Sequence, residues 1–181
     1  DSPEKSLAIA RRIVAAKLAN QRILLRRNGG DRVPSETLDG IRNAAQSASR
    51  ASHIDELRGH EGLGARLYFS GFALLLQEDA SGRRFDLDGR NRRPPTDPVN
   101  ALLSFSYSML TREWVTACRS VGFDPYLGFY HAPRYNRPSL ALDLMEAFRP
   151  ICADSAVMRA INNGEIAHDD FVERLGSVNL T

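Results

Sequence analysis

Apolar side chains recur every three to four residues along most of the chain, which is the spacing of one face of an α-helix. Proline or a capping residue precedes several of these segments, and glycine or Asn-Gly ends others. No segment alternates apolar and polar residues as a strand would, so the predicted fold class is all-α, a single helical domain over residues 1–181. The helices are predicted over residues 4–27, 34–48, 52–77, 98–121, 139–148, 155–162 and 167–174.

Two of these helices carry a prediction about the core. The helix over 98–121 is apolar nearly all round, so it is predicted to be the central helix of the domain. The helix over 4–27 has a broad apolar stripe, and its charged residues, Lys17 among them, are predicted to face solvent.

The helix over 52–77 is unusual in its glycines, which are Gly59, Gly62, Gly64 and Gly71. Each costs about 1 kcal/mol relative to alanine inside a helix. Their presence predicts that another helix packs closely against this one. Glu61 lies among them, and taken alone it would be an exposed helical glutamate.

Residues 78–97 are rich in Gly, Pro, Asp and Asn and are predicted to form a mobile basic loop. Such a loop can meet a phosphate backbone, or it can be a solvated linker whose aspartates balance its charge. The loop contains five arginines: Arg83, Arg84, Arg90, Arg92 and Arg93.

Composition is that of a soluble globular protein, with 43% hydrophobic and 25% charged residues. No apolar run approaches the ~20 residues that a membrane-spanning helix needs. Cys118 and Cys152 lie on apolar helical faces, which predicts buried reduced thiols and a cytoplasmic protein. All 24 basic residues except Lys5 and Lys17 are arginine, which fits either a GC-rich genome or phosphate contacts.

Candidate chemistry is concentrated in residues 127–150. His131 ends an apolar run, a turn rich in arginine and proline follows, and Ser139 is predicted to cap a helix whose apolar side is Leu140, Leu144 and Phe148. Asp143 and Glu146 are three residues apart and therefore face the same way. An imidazole and two carboxylates suit Mn²⁺ or Mg²⁺, although an acidic pair on a helix is also typical of a solvated face.

Three segments together resemble a known family. They are GHEGLGARLYF at 59–69, RRPPTDPVNALLSFSYSML at 92–110 and GFYHAPRYNRPSLALDLMEAFRP at 128–150. In this order and spacing they are similar to the C-terminal helical catalytic lobe of the CRISPR-associated endonuclease/integrase that acquires new spacers. The β-rich N-terminal domain of that family has no counterpart in the sequence.

The resemblance implies a metal-dependent reaction in which a DNA 3′-hydroxyl attacks a phosphodiester of the CRISPR repeat, a transesterification. By position in the family motifs, Glu61, His131 and Glu146 are implied to bind the catalytic Mn²⁺ or Mg²⁺. Asp143 is implied to be an auxiliary catalytic residue beside them.

Arginines near this site are candidates for DNA binding because a guanidinium suits bidentate phosphate contact. Tyr130 and Tyr135 are candidates for stacking on a splayed base, although each is more often a packing residue. The predicted DNA-binding arginines are Arg58, Arg84, Arg92, Arg93, Arg134 and Arg137, with Arg66 and Arg149 as further phosphate clamps.

The resemblance also implies partners. These are double-stranded DNA (prespacer and CRISPR repeat), a second copy of the chain in a homodimer, a small ferredoxin-like CRISPR adaptation partner, and an adaptation nuclease, fused or separate. No membrane is expected. The alternative function is a non-catalytic helical lobe that binds DNA or acts as a scaffold in the adaptation complex.

Overall fold

The computed structural model describes residues 2–91, 93–132 and 134–181. It is 64% helix and 6% strand, which confirms the predicted all-α class apart from one small sheet. The elements are α1 (Pro3–Gly29), α2 (Ser35–Ala48), α3 (Ile54–Ala73), α4 (Pro98–Ser120), α5 (Ser139–Met145), α6 (Ser155–Asn162), β1 (Phe171–Arg174) and β2 (Ser177–Leu180), with 3₁₀ turns at Gly30–Arg32, Glu146–Phe148 and His168–Asp170 and a π-helical stretch at Arg149–Asp154.

The core is built around α1, which packs against both α2 and α3. Ala10, Val14 and Leu18 of α1 are completely buried, as the apolar stripe predicts. Lys17 is only 6% exposed, however, so the prediction that it faces solvent is wrong. A hydrophobicity pattern assigns every lysine to the solvent side and cannot register a buried ion pair.

The glycines of α3 divide into two pairs. A Cβ built on Gly64 would lie 2.4 Å from Leu18 Cδ2, and one on Gly71 would lie 2.8 Å from Leu25 Cδ1. These two glycines permit close packing of α3 on α1, as predicted. Gly59 and Gly62 have nothing within 4 Å of such a Cβ, so helix packing does not account for them.

The predicted central role of α4 is wrong. Val99 and Leu103 in its first half are fully buried, but Phe105 is 55% and Met109 is 42% exposed. The helix lies against the side of the bundle with part of its apolar circumference facing outward. A helix that is apolar all round is buried only where other elements surround it. The sequence of the helix does not show whether such elements are present.

No break separates the helices predicted over 139–148 and 155–162, because the chain stays helical from Ser139 to Asn162, through Pro150. A proline has no N–H to donate, and the wider π-helical turn at Arg149–Asp154 continues the path around it. This change of helical register leaves Cys152 exposed, so its predicted burial is wrong, whereas Cys118 is buried. Both thiols are free.

The predicted final helix over 167–174 is also wrong. The segment forms a 3₁₀ turn followed by the hairpin of β1 and β2, in which Phe171 pairs with Leu180 and Arg174 with Ser177. Leu175 and Gly176 make the two-residue turn with positive φ values of 52° and 72°. The Val178 N–H donates to Pro95 O at 2.9 Å, so the hairpin is fastened to the loop before α4.

The described residues of the segment 78–97 contain no helix or strand, in agreement with the prediction of a loop. The loop is nevertheless anchored, since Phe85 is 1% and Leu87 9% exposed. Asp79 accepts hydrogen bonds from the Ser81 and Arg83 backbone N–H groups at 2.9 and 3.0 Å. Its mobility stays a prediction.

Among the described residues, no helix is long and apolar enough to cross a membrane.

Candidate functional site

Asp143 organises the turn that carries His131. The Asp143 carboxylate is fully buried and accepts backbone N–H groups from Phe129 at 2.7 Å, Tyr130 at 2.9 Å and His131 at 2.9 Å. Three donated hydrogen bonds satisfy a buried charge that would otherwise be costly. One side chain of α5 therefore fixes the path of the chain over 129–131.

Gly128 is required for this arrangement. A Cβ at position 128 would lie 2.6 Å from Ser139 Cβ and 2.8 Å from the Ser139 carbonyl carbon. Backbone atoms cannot give way as a flexible side chain does, so any larger residue would push the turn off α5.

The helix that bears the acidic pair differs from its prediction in two details. Ser139 is the first helical residue and not the cap, which falls on Pro138. The buried residues of α5 include Ala141 and Met145, whereas Phe148 is 42% exposed, so the predicted apolar side is the less buried one. The buried side of α5 includes Asp143, whose carboxylate is satisfied by hydrogen bonds and can therefore lie inside.

The His131 ring is held in one orientation by Asp143. Nδ1 lies 2.6 Å from Asp143 Oδ1. A carboxylate only accepts, so Nδ1 carries a proton, and in the neutral ring Nε2 is then the nitrogen with a free lone pair. Nε2 lies 3.9 Å from Glu146 Oε1, on the opposite side of the ring.

Glu61 reaches the same place from α3. The Glu61 Oε1 atom accepts a hydrogen bond from Lys17 Nζ at 2.6 Å, and Oε2 accepts one from the Tyr130 hydroxyl. The pKa of Tyr130 is raised above its usual value, mainly because the phenol is buried and also because the Glu61 carboxylate is close. The phenol therefore stays a hydrogen-bond donor.

Glu146 is almost fully buried at 2% exposed. Its Oε1 lies 3.1 Å from Arg149 Nη2 and its Oε2 lies 2.7 Å from Lys17 Nζ. Burial opposes ionisation of Glu146, but Lys17 and Arg149 outweigh it and hold the pKa of Glu146 well below its usual range. The Lys17 contact is an ion pair by distance only, since Oε2 accepts no well-directed hydrogen bond from a described residue.

Lys17 is thus the centre of the cluster, and sequence analysis missed it. Burial alone would lower the pKa of Lys17, but the Glu146 and Glu61 carboxylates overcome that effect and raise it. The only sequence signal is its position within the apolar stripe of α1, among Val14 and Leu18.

Residues that are far apart in sequence therefore meet in one cluster: Lys17 pairs with Glu61 and Glu146, and the His131 ring lies next to Glu146. Their two carboxylates and one imidazole are suitable ligands for Mn²⁺ or Mg²⁺. As the side chains stand, no group of three or more His, Cys, Asp or Glu within 2–91, 93–132 and 134–181 is arranged to hold a metal ion. The ligand set fits a divalent ion only if Lys17 moves out of the space between the carboxylates.

Asp154 is a further buried carboxylate near the site. Asp154 is fully buried and accepts hydrogen bonds from the Tyr68 hydroxyl at 2.7 Å and the Tyr107 hydroxyl at 2.6 Å. Burial raises the pKa of Asp154 to about 6. The Arg149 guanidinium stacks 4.7 Å from the Tyr107 ring centre, which connects this pair to Glu146.

Arginines line two clefts of the protein. The larger, of about 670 Å³, is lined by Arg93, Arg134 and Arg137 together with Tyr135, which is fully exposed. The smaller, of about 210 Å³, is lined by Arg93 and Arg149 and by hydroxyl side chains of α4. Arg93 is common to both clefts, and Arg149 connects the smaller one to Glu146.

Of the remaining predicted DNA-binding arginines, Arg58 and Arg84 line neither of these clefts. Arg58 donates to the Tyr130 carbonyl at 3.4 Å and pairs with Asp55 at 3.0 Å, so it borders the site. Arg84 lines a different cavity, beside Asp86 and Asp88. Arg92 falls outside the described residues.

The family model for the CRISPR associated protein Cas1 matches residues 1–181. The chain belongs to the Cas1 family. It is 54% identical over 185 residues to a CRISPR-associated exonuclease Cas4/endonuclease Cas1 fusion from Geobacter sulfurreducens, covering 99% of this chain and 33% of that relative.

Solved structures agree with the family. A partial Cas6-RT-Cas1–Cas2 complex matches with a TM-score of 0.87 and 33% identity, covering 100% of this chain and 55% of that one. A casposase bound to its integration product matches with a TM-score of 0.85 and 28% identity, covering 99% of this chain and 50% of that one. The chain therefore spans a third to about half of the length of these Cas1-related proteins.

Proposed function

We propose that this chain is the catalytic lobe of a metal-dependent DNA endonuclease/integrase that inserts new spacers into a CRISPR array. One observation carries the proposal. In a Cas1-family chain, Glu61 and Glu146 come from separate segments and share one cation, Lys17, and the His131 ring lies next to Glu146.

Each residue has a defined part in the proposed site. Glu61 and Glu146 supply carboxylate oxygens, and His131 supplies Nε2 because Asp143 holds its other nitrogen. Bound Mn²⁺ or Mg²⁺ would polarise the scissile phosphodiester and lower the pKa of the attacking hydroxyl. Among the described residues, the Asp143 carboxylate accepts its hydrogen bonds from 129–131, so its proposed part is to position His131.

The proposed reaction is a transesterification. The 3′-oxygen of the prespacer forms a bond to a repeat phosphorus, the bond from that phosphorus to the repeat's own 3′-oxygen breaks, and a proton moves from the attacking to the leaving oxygen. One phosphodiester replaces another, so no nucleotide hydrolysis is needed. The two clefts supply guanidinium groups, and Arg93, Arg134 and Arg137 are proposed to bind the phosphates of prespacer or repeat DNA.

The proposed partners beyond DNA are a second copy of the chain, a small ferredoxin-like adaptation protein and an adaptation nuclease. The structural match to a complex that contains Cas2, and the relative in which Cas4 and Cas1 are fused, support this proposal. The cytoplasmic location stays a prediction.

The test is nicking of an end-labelled duplex in Mn²⁺ by the unaltered chain and by Glu61→Gln, His131→Ala and Glu146→Gln. Each change removes one ligand of the same ion, so we expect nicking to fall by at least about 100-fold in each case. Double variants should lose little more than single ones, because the three groups act together.

Glu36→Gln is the matched control, since Glu36 is an exposed glutamate in the first turn of α2. Full activity of Glu146→Gln would remove Glu146 from the site. A chain that binds duplex DNA but shows no nicking, alone or with its partners, would support the alternative of a scaffolding lobe. The present position of Lys17 between the carboxylates is the observation that favours this alternative.

A further inference from the structure

The unexpected feature of the cluster is a buried lysine at the place where the proposed ligands meet. Lys17 Nζ lies 2.6 Å from Glu61 Oε1 and 2.7 Å from Glu146 Oε2, and the residue is 6% exposed. A buried ammonium is costly unless it is paired, and two carboxylates held close together repel unless a cation lies between them. Lys17 therefore neutralises the site when no metal ion is present.

The same two oxygen atoms cannot serve Lys17 and a divalent ion at once. Mg²⁺ requires oxygen ligands at about 2.0–2.1 Å in near-octahedral geometry, and an ammonium in contact with both oxygens occupies that space. Two cations so close together would also repel strongly in a site with little water.

Arg149 is differently placed. Its guanidinium contacts Oε1 of Glu146, at 3.1 Å, and its stacking on the Tyr107 ring holds it there. Lys17 contacts the other oxygen, Oε2, through a flexible four-carbon chain. If Lys17 leaves, Arg149 still pairs with Oε1 of Glu146.

We infer that Lys17 is a positioning residue of the metal site, a resident cation that holds Glu61 and Glu146 together in the metal-free protein and is displaced when a divalent ion binds. This inference rests on the proposed metal-dependent function. Its consequence is that the free energy of metal binding includes the cost of breaking the two Lys17 ion pairs. Lys17 therefore keeps its place between the carboxylates at low metal concentration.

The direct test is NMR of the chain labelled with ¹³C at Cε and ¹⁵N at Nζ of lysine, titrated with Mg²⁺. Lys5 and Lys17 are the only lysines among the 181 residues, and Lys5 lies exposed near the start of α1. We expect the Lys17 signal to move to the position of a solvated ammonium with the same midpoint as Mg²⁺ binding measured by calorimetry. The Lys5 signal should not move, and Lys17→Met assigns the two.

The second test compares Mn²⁺ affinity of the unaltered chain, Lys17→Met and the control Lys5→Met. Removing the resident cation should tighten Mn²⁺ binding by at least about tenfold, and Lys5→Met should change nothing. Without metal, Lys17→Met should melt at a lower temperature than the unaltered chain, because its two carboxylates are left with Arg149 alone, and saturating Mn²⁺ should close the gap.

The outcomes separate the two proposals. Calorimetric binding of Mg²⁺ with an unchanged Lys17 signal would overturn the inference and leave the proposed function in place. Absence of Mg²⁺ and Mn²⁺ binding in every form would overturn both. The NMR measurement uses the unaltered chain, so it decides the matter even where Lys17→Met does not fold without metal.

Discussion

Individual buried charges decide the geometry of this site, and each is stabilised in a different way. Asp143 is satisfied by backbone N–H groups, Glu146 by two cations, and Asp154 by two tyrosine hydroxyls. The tyrosine donors are neutral and only partly offset the burial of Asp154, which is why its pKa lies at about 6.

The raised pKa of Asp154 predicts a pH effect on stability. The folded state takes up a proton at about pH 6, and an unfolded aspartate does so near its ordinary value of 3.8, so folding binds a proton between these values. The contribution of Asp154 to the free energy of unfolding therefore falls as pH rises from about 4 to above 6, by at most about 3 kcal/mol.

Denaturant unfolding of the unaltered chain and of Asp154→Asn across this range measures the effect. The stability of Asp154→Asn relative to the unaltered chain should rise with pH between about 4 and 7, because the amide has no charge to bury. Asp39→Asn, a change in an exposed side chain paired with Arg42, should show no such trend. A difference for Asp154→Asn that is independent of pH would contradict the prediction.

Among the elements, α3 combines packing and function in one sequence. Gly64 and Gly71 allow α3 to approach α1, and this approach brings Glu61 of α3 to Lys17 of α1. Gly59 and Gly62 lie on the exposed side of the same helix, where no other side chain needs the space.

This division predicts that glycine-to-alanine substitutions in the same helix have different effects on stability. Gly59→Ala and Gly62→Ala should each raise the free energy of unfolding by about 1 kcal/mol, because alanine is the better helix former and its methyl group meets nothing. Gly64→Ala should give no such gain, because its Cβ would lie 2.4 Å from the buried Leu18 side chain. Urea denaturation of the three variants decides this, and an equal gain in Gly64→Ala would refute the packing explanation.

On the scale of the whole molecule, the arginines of the basic loop do not act together. The tertiary structure gives them different surroundings. Arg83 pairs with Asp169 at 2.7 Å and Arg90 donates to Asn100 Oδ1 at 2.6 Å, so both hold the loop in place. Arg93 lines the two clefts, the larger one together with arginines from the 131–138 turn.

This arrangement predicts which arginines determine the salt dependence of DNA binding. Arg93→Gln, Arg134→Gln and Arg137→Gln should each weaken binding to duplexes of unrelated sequence about equally. Each lost phosphate contact should also reduce the slope of log affinity against log salt by about 0.9. Arg159→Gln on α6 is the control, because Arg159 lines neither cleft. Fluorescence anisotropy at several salt concentrations measures both quantities, and an unchanged slope in all three cleft variants would show that DNA does not follow the clefts.

The sequence by itself determined the helical class, the start of α4 at Asp97-Pro98 and the exact span of α6, because periodicity and capping are local properties of the chain. It also singled out Glu61, His131 and Glu146 by resemblance, and the structure brings those side chains together. Only tertiary structure decided that Lys17 is buried between the carboxylates, that α4 lies at the side of the core, and that residues 171–180 form a hairpin. Each of these depends on which distant groups surround a residue. A buried lysine is stable only because α3 and the segment after α5 both bring a carboxylate to it, and no pattern within α1 contains that information.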